Sequence, residues 1–244
     1  MRIAIFSDIH ANREAFEACL EAAARLSPDR ALFLGDIVGY GADPQWCVET
    51  VMARPGAIVL RGNHDQAIGD PSERMNQDGT AAIAWTQSVL SNEAKDWLAQ
   101  LPLTAEEEDR LYVHADASEP WRFRYVTDET SAQRSLDGTQ QRITLCGHVH
   151  IPRLFGRTAT GRITVFRPVS GIAVPLPAPR KWLAVLGAVG QPRDRNPAAC
   201  FGLLDTAAGT LAWHRVAYDI ETAAAKIRAA GLPDRLASRL ASGW

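Results

Sequence analysis

Cysteine is scarce in this 244-residue chain, and the four present, Cys19, Cys47, Cys146 and Cys200, are scattered with no C-x-x-C pair. That excludes a disulfide framework and a zinc knuckle, and the four read as reduced, buried small side chains. Net charge is also small, at -2, so no polybasic field exists for general nucleic-acid or anionic-membrane binding. No apolar run is long enough to span a bilayer without interruption by charges. The opening segment, residues 1–16, lacks the basic, apolar and small-residue order of a secretory signal, so a cytoplasmic protein is expected. Hydrophobic residues at 46% and charged residues at 22% exclude a disordered chain. The length suits one α/β domain over 1–244.

Short apolar runs alternate with amphipathic stretches. Residues 2–7, 31–34 and 57–60 read as buried strands, ending at Asp8-Ile9-His10, Gly35-Asp36 and Gly62-Asn63-His64-Asp65. Asn12 is placed to cap the first helix, and Asp43-Pro44 to open the second with an acid cap and a proline at its first position. Residues 79–101 have a helical pattern, and strands resume at 111–114 and 142–146. Residues 153–166 read as a hairpin turning near Thr160-Gly161. Further strands at 182–186, 200–204 and 211–216 lack helical crossovers, which predicts antiparallel pairing in mixed sheets. A final helix from Ile220 stops at Gly231-Leu232-Pro233. The acid run Glu106-Glu107-Glu108-Asp109 reads as a strand end or solvated turn.

Of six histidines, His10, His64, His114, His148 and His150 stand at predicted C-terminal strand ends, where open α/β sheets place their ligand sites. Asp8-x-His10 and His148-x-His150 each send two side chains to one side of an extended segment. Asp36 can bridge two cations through its two oxygens, and Asn63 adds a neutral oxygen. A carboxylate, amide and imidazole set without thiolate favours two divalent transition-metal ions, manganese first, with iron, cobalt, nickel or zinc as alternatives.

Asp8-x-His10, Gly35-Asp36, Gly62-Asn63-His64-Asp65, His114 and Gly147-His148-x-His150, in that order, resemble the calcineurin-like metallophosphoesterases. The runs 35–44 (GDIVGYGADP) and 187–194 (GAVGQPRD) are similar to a small bacterial and archaeal phosphodiesterase-like branch of that superfamily. The resemblance implies a four-layer α/β/β/α sandwich with two mixed β-sheets. It also implies one metal on Asp8, His10, Asp36 and His150, and a second on Asp36, Asn63, His114 and His148. His64 then takes the catalytic position, contacting the scissile phosphate or, protonated, meeting the leaving oxygen. Two cations roughly 3.5–4 Å apart would activate a bridging water for in-line attack.

The implied activity is a phosphodiesterase acting on small or nucleotide-like phosphate esters. The alternatives are a phosphomonoesterase, a nucleotide-polyphosphate hydrolase, or a non-catalytic scaffold of the same fold. Protein serine/threonine phosphatases of the superfamily carry an aspartate and an arginine where this chain has Gly39 and Tyr40, which leaves open whether Asp65 or a backbone carbonyl orients His64. Arg193 has two readings, gripping a phosphate or pairing with Asp194 or Asp205, and Tyr40 has two, touching substrate or packing under its loop. Trp121-Arg122-Phe123-Arg124-Tyr125 alternates aromatic and basic residues, as a base-stacking platform or an inward-packed aromatic face would. His214 reads as a polar-face strand residue.

Overall fold

The computed structural model describes every residue except 71, 72 and 74. β1 (Arg2–Phe6) is buried on both faces, with Ile3 and Ile5 on one and Ala4 and Phe6 on the other. Asn12 Oδ1 accepts from Ala15 N at 3.1 Å and starts α1 (Arg13–Ala24), as its position predicts. β2 (Arg30–Phe33), α2 (Pro44–Met52) and the short β3 (Ile58–Val59) repeat the unit. Asp43 makes no side-chain cap; its carboxylate takes Lys226 Nζ at 2.9 Å instead, leaving Pro44 to preset the first turn.

After α3 (Asn63–Gly69), the helical pattern over 79–101 divides into α4 (Gln77–Val89) and α5 (Asn92–Gln100). The break falls where Leu90 and Ser91 turn extended and Ser91 Oγ caps Ala94 N at 3.1 Å, a local bond that competes with helix continuation. β4 (Thr104–Glu107) and β5 (Arg110–Val113) form a hairpin around the acid run. Its carboxylates make ion pairs, Glu107 with Arg30, Glu108 with Arg110 and Asp109 with Arg142.

A 3-10 turn at Pro120–Arg122 and α6 (Glu129–Asp137) lead to β6 (Ile143–Cys146), followed by the hairpin of β7 (Arg153–Arg157) and β8 (Ile163–Phe166). Then come β9 (Val174–Pro175), β10 (Lys181–Val185), β11 (Ala199–Asp205), β12 (Thr210–Val216), α7 (Ile220–Ala229) and α8 (Asp234–Ser242).

Two six-stranded mixed sheets result, ordered β3-β2-β1-β11-β12-β9 and β4-β5-β6-β10-β7-β8. β11 and β12 pair antiparallel as expected, but β10 pairs parallel with β6, because the β7–β8 hairpin intervenes and serves as the crossover that a helix normally provides. Ile3, Ile5 and Leu32 of the first sheet meet Leu145, Trp182 and Ala184 of the second in an apolar seam. Phe6, Phe33 and Phe201 face outward from the first sheet onto α1, α2 and α5, while Leu111, Leu183 and Val185 of the second meet α6. This is the four-layer α/β/β/α sandwich.

The chain's last helix is not the one that stops at Gly231. α8 follows and buries Leu236, Ala237 and Leu240 against α7 and Tyr40.

Candidate metal centre

Each sheet contains a run of three parallel strands, β3-β2-β1 in one and β5-β6-β10 in the other. Their C-terminal ends deliver Asp8 and His10, Asp36, Asn63, His114, and His148 and His150 to one place. Asp8, His10, Asp36 and His150 offer ligand atoms within 4.8 Å of one another, and so do Asp36, His114 and His148. Asp36 belongs to both groups, as a bridging carboxylate must. Its Oδ2 lies 3.7 Å from His10 Nε2 and 3.4 Å from His114 Nε2, while its Oδ1 accepts from His64 N at 2.9 Å.

The rings are held by their other nitrogens. His10 Nδ1 meets Val38 O at 3.2 Å, His114 Nδ1 meets Leu34 O at 2.8 Å and His150 Nδ1 meets Gln191 O at 2.6 Å. A carbonyl can only accept, so each Nδ1 carries a proton and each Nε2 turns inward, the outer-sphere arrangement of metal-binding histidines. Ser7 Oγ donates to Asp8 Oδ2 at 2.7 Å, and His148 N does so at 3.0 Å.

The backbone is bent to suit. Asp8, His10, Asp36, His148 and His150 all have φ between 50° and 66°, a left-handed conformation that costs roughly 1–2 kcal/mol per non-glycine residue. The loop at 187–194 steadies these turns, with Gly190 N donating to Asp8 O at 2.9 Å and Asn12 Nδ2 to Gly190 O at 2.8 Å. Gly147 is required by space: an added Cβ would fall 1.8 Å from Ser7 Oγ and 2.5 Å from Asp8 Oδ2.

The residues fit a pair of divalent ions. Asn63 Oδ1 is buried with no hydrogen-bond partner, and imidazole nitrogens face each other at 3.1 Å between His10 and His150 and 3.2 Å between His114 and His148. An orphaned amide oxygen and the converging lone pairs of His10 and His150, both held neutral by burial, are costly unless a cation accepts them. Burial would raise the Asp36 carboxyl, but facing His114 and His64 hold it well below the ordinary range. Burial also works against a charged His114, yet the Asp36 carboxylate lifts it to about 9. His148, disfavoured by burial and then by His114, falls to about 3.

His64 stands beside this cluster, its ring 4.7 Å from that of His10 and 4.3 Å from that of Tyr40. Neither Asp65 nor a carbonyl orients it. The Asp65 carboxylate is occupied by backbone N–H groups of Asp36, Ile37, Val38 and Gly62 at 2.8, 2.9, 3.2 and 3.0 Å, pinning the bridging loop. Burial and then Asp36 push the Asp65 carboxyl up to about 7. His64 Nδ1 is instead unpartnered and lies over Gly39, where an added Cβ would come within 2.2 Å of it. Packing sets the ring where protein phosphatases of the superfamily have an aspartate. Burial lowers His64 to about 4, so the expected protonated ring is neutral at pH 7 in the free chain.

Tyr40 is buried between His10 and His64, with its hydroxyl 3.5 Å from Arg193 Nη2. Arg193 pairs with neither Asp194, which takes Arg215, nor Asp205, which takes Arg2; its Nη2 donates to Gln191 Oε1 at 3.0 Å. The aromatic–basic run at 121–125 divides: Phe123 packs inward near His114, whereas Tyr125, half exposed, stacks on His148 at 4.2 Å and 18°. His214 stacks on Phe201 at 5.0 Å. Ser7, Asp65, Gln191 and Tyr125 support the centre without having stood out as ligands. Asp65 and Gln191 do lie inside recognisable motifs, while Tyr125 gave no signal beyond its aromatic run.

The calcineurin-like phosphoesterase superfamily domain matches residues 1–209. The uncharacterized protein MJ0912 of Methanocaldococcus jannaschii is 34% identical over 247 residues, covering 99% of this chain and 98% of that one. A metallophosphoesterase from Sphaerobacter thermophilus superposes with TM-score 0.89 at 34% identity, covering 100% of this chain and 99% of its own. The hypothetical protein PH1004 from Pyrococcus horikoshii shares the fold, with TM-score 0.81 at 20% identity over 100% and 98% of the two chains. With a carboxylate shared by two candidate ligand groups, inward-facing imidazoles and the family match in agreement, the chain belongs to the calcineurin-like phosphoesterase superfamily and is a phosphate-ester hydrolase.

Proposed function

We propose that this protein is a dinuclear metal-dependent phosphodiesterase that hydrolyses small or nucleotide-like phosphate esters. The observation that carries the reading is Asp36 Oδ2, which faces His10 Nε2 and His114 Nε2 at 3.7 and 3.4 Å and so joins two ligand sets. Asp8, His10, Asp36 and His150 would hold one ion, and Asp36, Asn63, His114 and His148 the other. Manganese is the first choice for this donor set, with iron, cobalt, nickel or zinc as alternatives. When bound, such a pair supplies Lewis acidity toward phosphoryl oxygens and a hydroxide at neutral pH.

The chain's own residues bind and orient the ester. Arg193, without a carboxylate partner, presents a planar fork to non-bridging phosphate oxygens, and Tyr40 supports it from below. His64 contacts the scissile phosphate and delivers a proton to the leaving oxygen. A phosphate anion beside the ring favours imidazolium and so opposes the depression that burial imposes on it. The four free, buried thiols support a reducing compartment, the cytoplasm. Among the described residues no helix is long and apolar enough to cross a membrane.

The test combines metal analysis of the purified protein with manganese-dependent hydrolysis of bis(p-nitrophenyl) phosphate and p-nitrophenyl phosphate. About two ions per chain and faster diester turnover are expected. Preference for the monoester overturns the diesterase assignment, and an inactive protein that takes up no metal overturns catalysis in favour of a scaffold.

A further inference from the structure

The near-neutral net charge hides a cationic cavity of about 370 Å³. Arg153, Arg167, Arg193, Arg195 and Arg215 line it against one side-chain carboxylate, Asp194, which is committed to Arg215. Among the described residues the other four guanidinium groups have no carboxylate partner. Arg195 lies on the Trp244 ring, its Cζ 5.0 Å from the centroid, and Arg193 Nη2 donates to Gln191 Oε1 at 3.0 Å. Cations gathered in one concavity repel one another, and a bound anion relieves that repulsion.

The wall is built from both sheets and is preformed. Arg153 opens β7 of one sheet, Arg215 lies in β12 of the other, and Arg167, Arg193 and Arg195 stand on segments that connect strands. Backbone donors tie these segments together: Gly171 N donates to Trp213 O at 2.8 Å, Arg215 N to Ser170 Oγ at 3.0 Å and Arg195 N to Gly243 O at 2.8 Å. A guanidinium fork matches phosphate oxygens in pairs, and a wall already in place spares the cost of ordering it on binding. None of the candidate metal ligands lines the cavity, and neither does His64, so it is a place apart from the centre. Its volume is at the small end of the range for ligand pockets, which suits a compact anion and not a nucleic-acid strand.

We infer that this cavity is a non-catalytic binding site for a compact oligophosphate, two or more linked phosphate groups that are either free or carried by a nucleotide. Several guanidinium groups around one volume call for several phosphate groups, because a single phosphate leaves most of them unmatched. Binding here needs neither the metal nor hydrolysis, so the inference does not depend on the phosphoesterase reading of the centre. Arg193 borders both places: its side chain lines the cavity, its N donates to His150 O at 3.3 Å and its Nη2 lies 3.5 Å from the Tyr40 hydroxyl. Arg153 and Arg167 have no such contact with the centre, and they are the residues whose loss isolates the cavity.

In the test, inorganic tripolyphosphate is titrated against the tryptophan fluorescence of the full chain, as purified and again after a chelator has stripped it of metal, with Trp244→Phe as the blank. A saturable, salt-sensitive change is expected, of similar affinity in both preparations and about tenfold or more tighter than for inorganic orthophosphate. Arg153→Gln with Arg167→Gln should weaken it about tenfold or more and leave diester hydrolysis unchanged. Should the double variant unfold, Arg167→Gln, at an exposed position, serves alone. Equal affinity for adenosine triphosphate and tripolyphosphate supports the site with a free phosphate chain as ligand, and tighter binding of adenosine triphosphate supports it with a nucleotide. Binding that vanishes with the metal, survives the arginine changes or fails to favour tripolyphosphate over orthophosphate overturns the inference, and so does a loss of diester turnover in the folded arginine variants. Tripolyphosphate binding without hydrolysis of any ester overturns the phosphoesterase reading and leaves this site standing.

Discussion

His10 and His150 each keep 1% of their surface exposed and Asp8 none, whereas His148 keeps 7% and Asn63 9%. The first group is also the better anchored. Carbonyls of Val38 and Gln191 fix its two rings, and Ser7 fixes its carboxylate. On the other side His114 is anchored to Leu34 O, but His148 leans on a half-exposed Tyr125 and Asn63 Oδ1 has no partner. A sealed, preorganised half should hold its ion tightly, and an open, adjustable half should exchange its ion. On the proposed assignment, one centre would combine a structural grip with a replaceable ion.

Replacing the shared residue erases the contrast. Asp36→Asn is expected to remove both ions and abolish turnover, read by metal analysis and diester hydrolysis together. His64→Ala should leave both halves loaded while kcat falls about 10²–10⁴-fold, the usual worth of a positioned acid. Gly39→Ala should act through the same ring, because its Cβ falls 2.2 Å from His64 Nδ1 at a backbone φ of +87°. Its kcat should fall about tenfold or more with metal content unchanged. If His64→Ala lost metal and regained full activity on reconstitution, the assigned role would be wrong.

Asn63→Ala tests the halves separately. It removes an oxygen only from the open half, so the weaker ion should lose about 10–100-fold in affinity while the tighter one stays. Proton linkage should separate them as well. In the metal-free chain the Asp36 carboxylate, working against burial, keeps His114 protonated up to about pH 9. A ligand ring must be neutral, so below that pH the open half gains affinity as pH rises, by about tenfold per unit. His10 and His150 are already held low by burial, so the sealed half should depend on pH less steeply. Calorimetry in buffers of different ionisation enthalpy would count the released proton, and equal proton release from both halves would contradict the comparison.

The candidate ligands were legible because apolar runs stop at Ser7-Asp8, Gly35-Asp36, Gly62-Asn63, His114 and Gly147-His148, whereas the parallel pairing of β10 with β6 was not, since no helix announces that crossover. What was illegible depends on contacts across the chain. Gly39 marked only a missing aspartate until its Cα proved to lie beneath His64 Nδ1. Arg153 of β7, Arg215 of β12 and Arg167, Arg193 and Arg195 of connecting segments line one cavity, and nothing in their spacing announces that they share a wall. α8 was missed because Pro233 reads as a stop, although a proline can equally stand just before a helix's first turn.

The smallest expected effect concerns Tyr125. Its ring lies 4.2 Å from His148, nearly parallel at 18°, and 51% of the residue is exposed, so the stack covers one face of the most accessible imidazole in the centre. Stacking at such a site is worth on the order of 1 kcal/mol. Tyr125→Ala should therefore weaken the open half's ion by only about fivefold, with no change in the sealed half. Tyr125→Phe keeps the plane and should restore the affinity, since no hydroxyl contact is involved in the stack. Metal titrations of the two variants separate the cases: an equal loss in both would assign the effect to the hydroxyl, and a loss in the sealed half would show that the two sides are coupled.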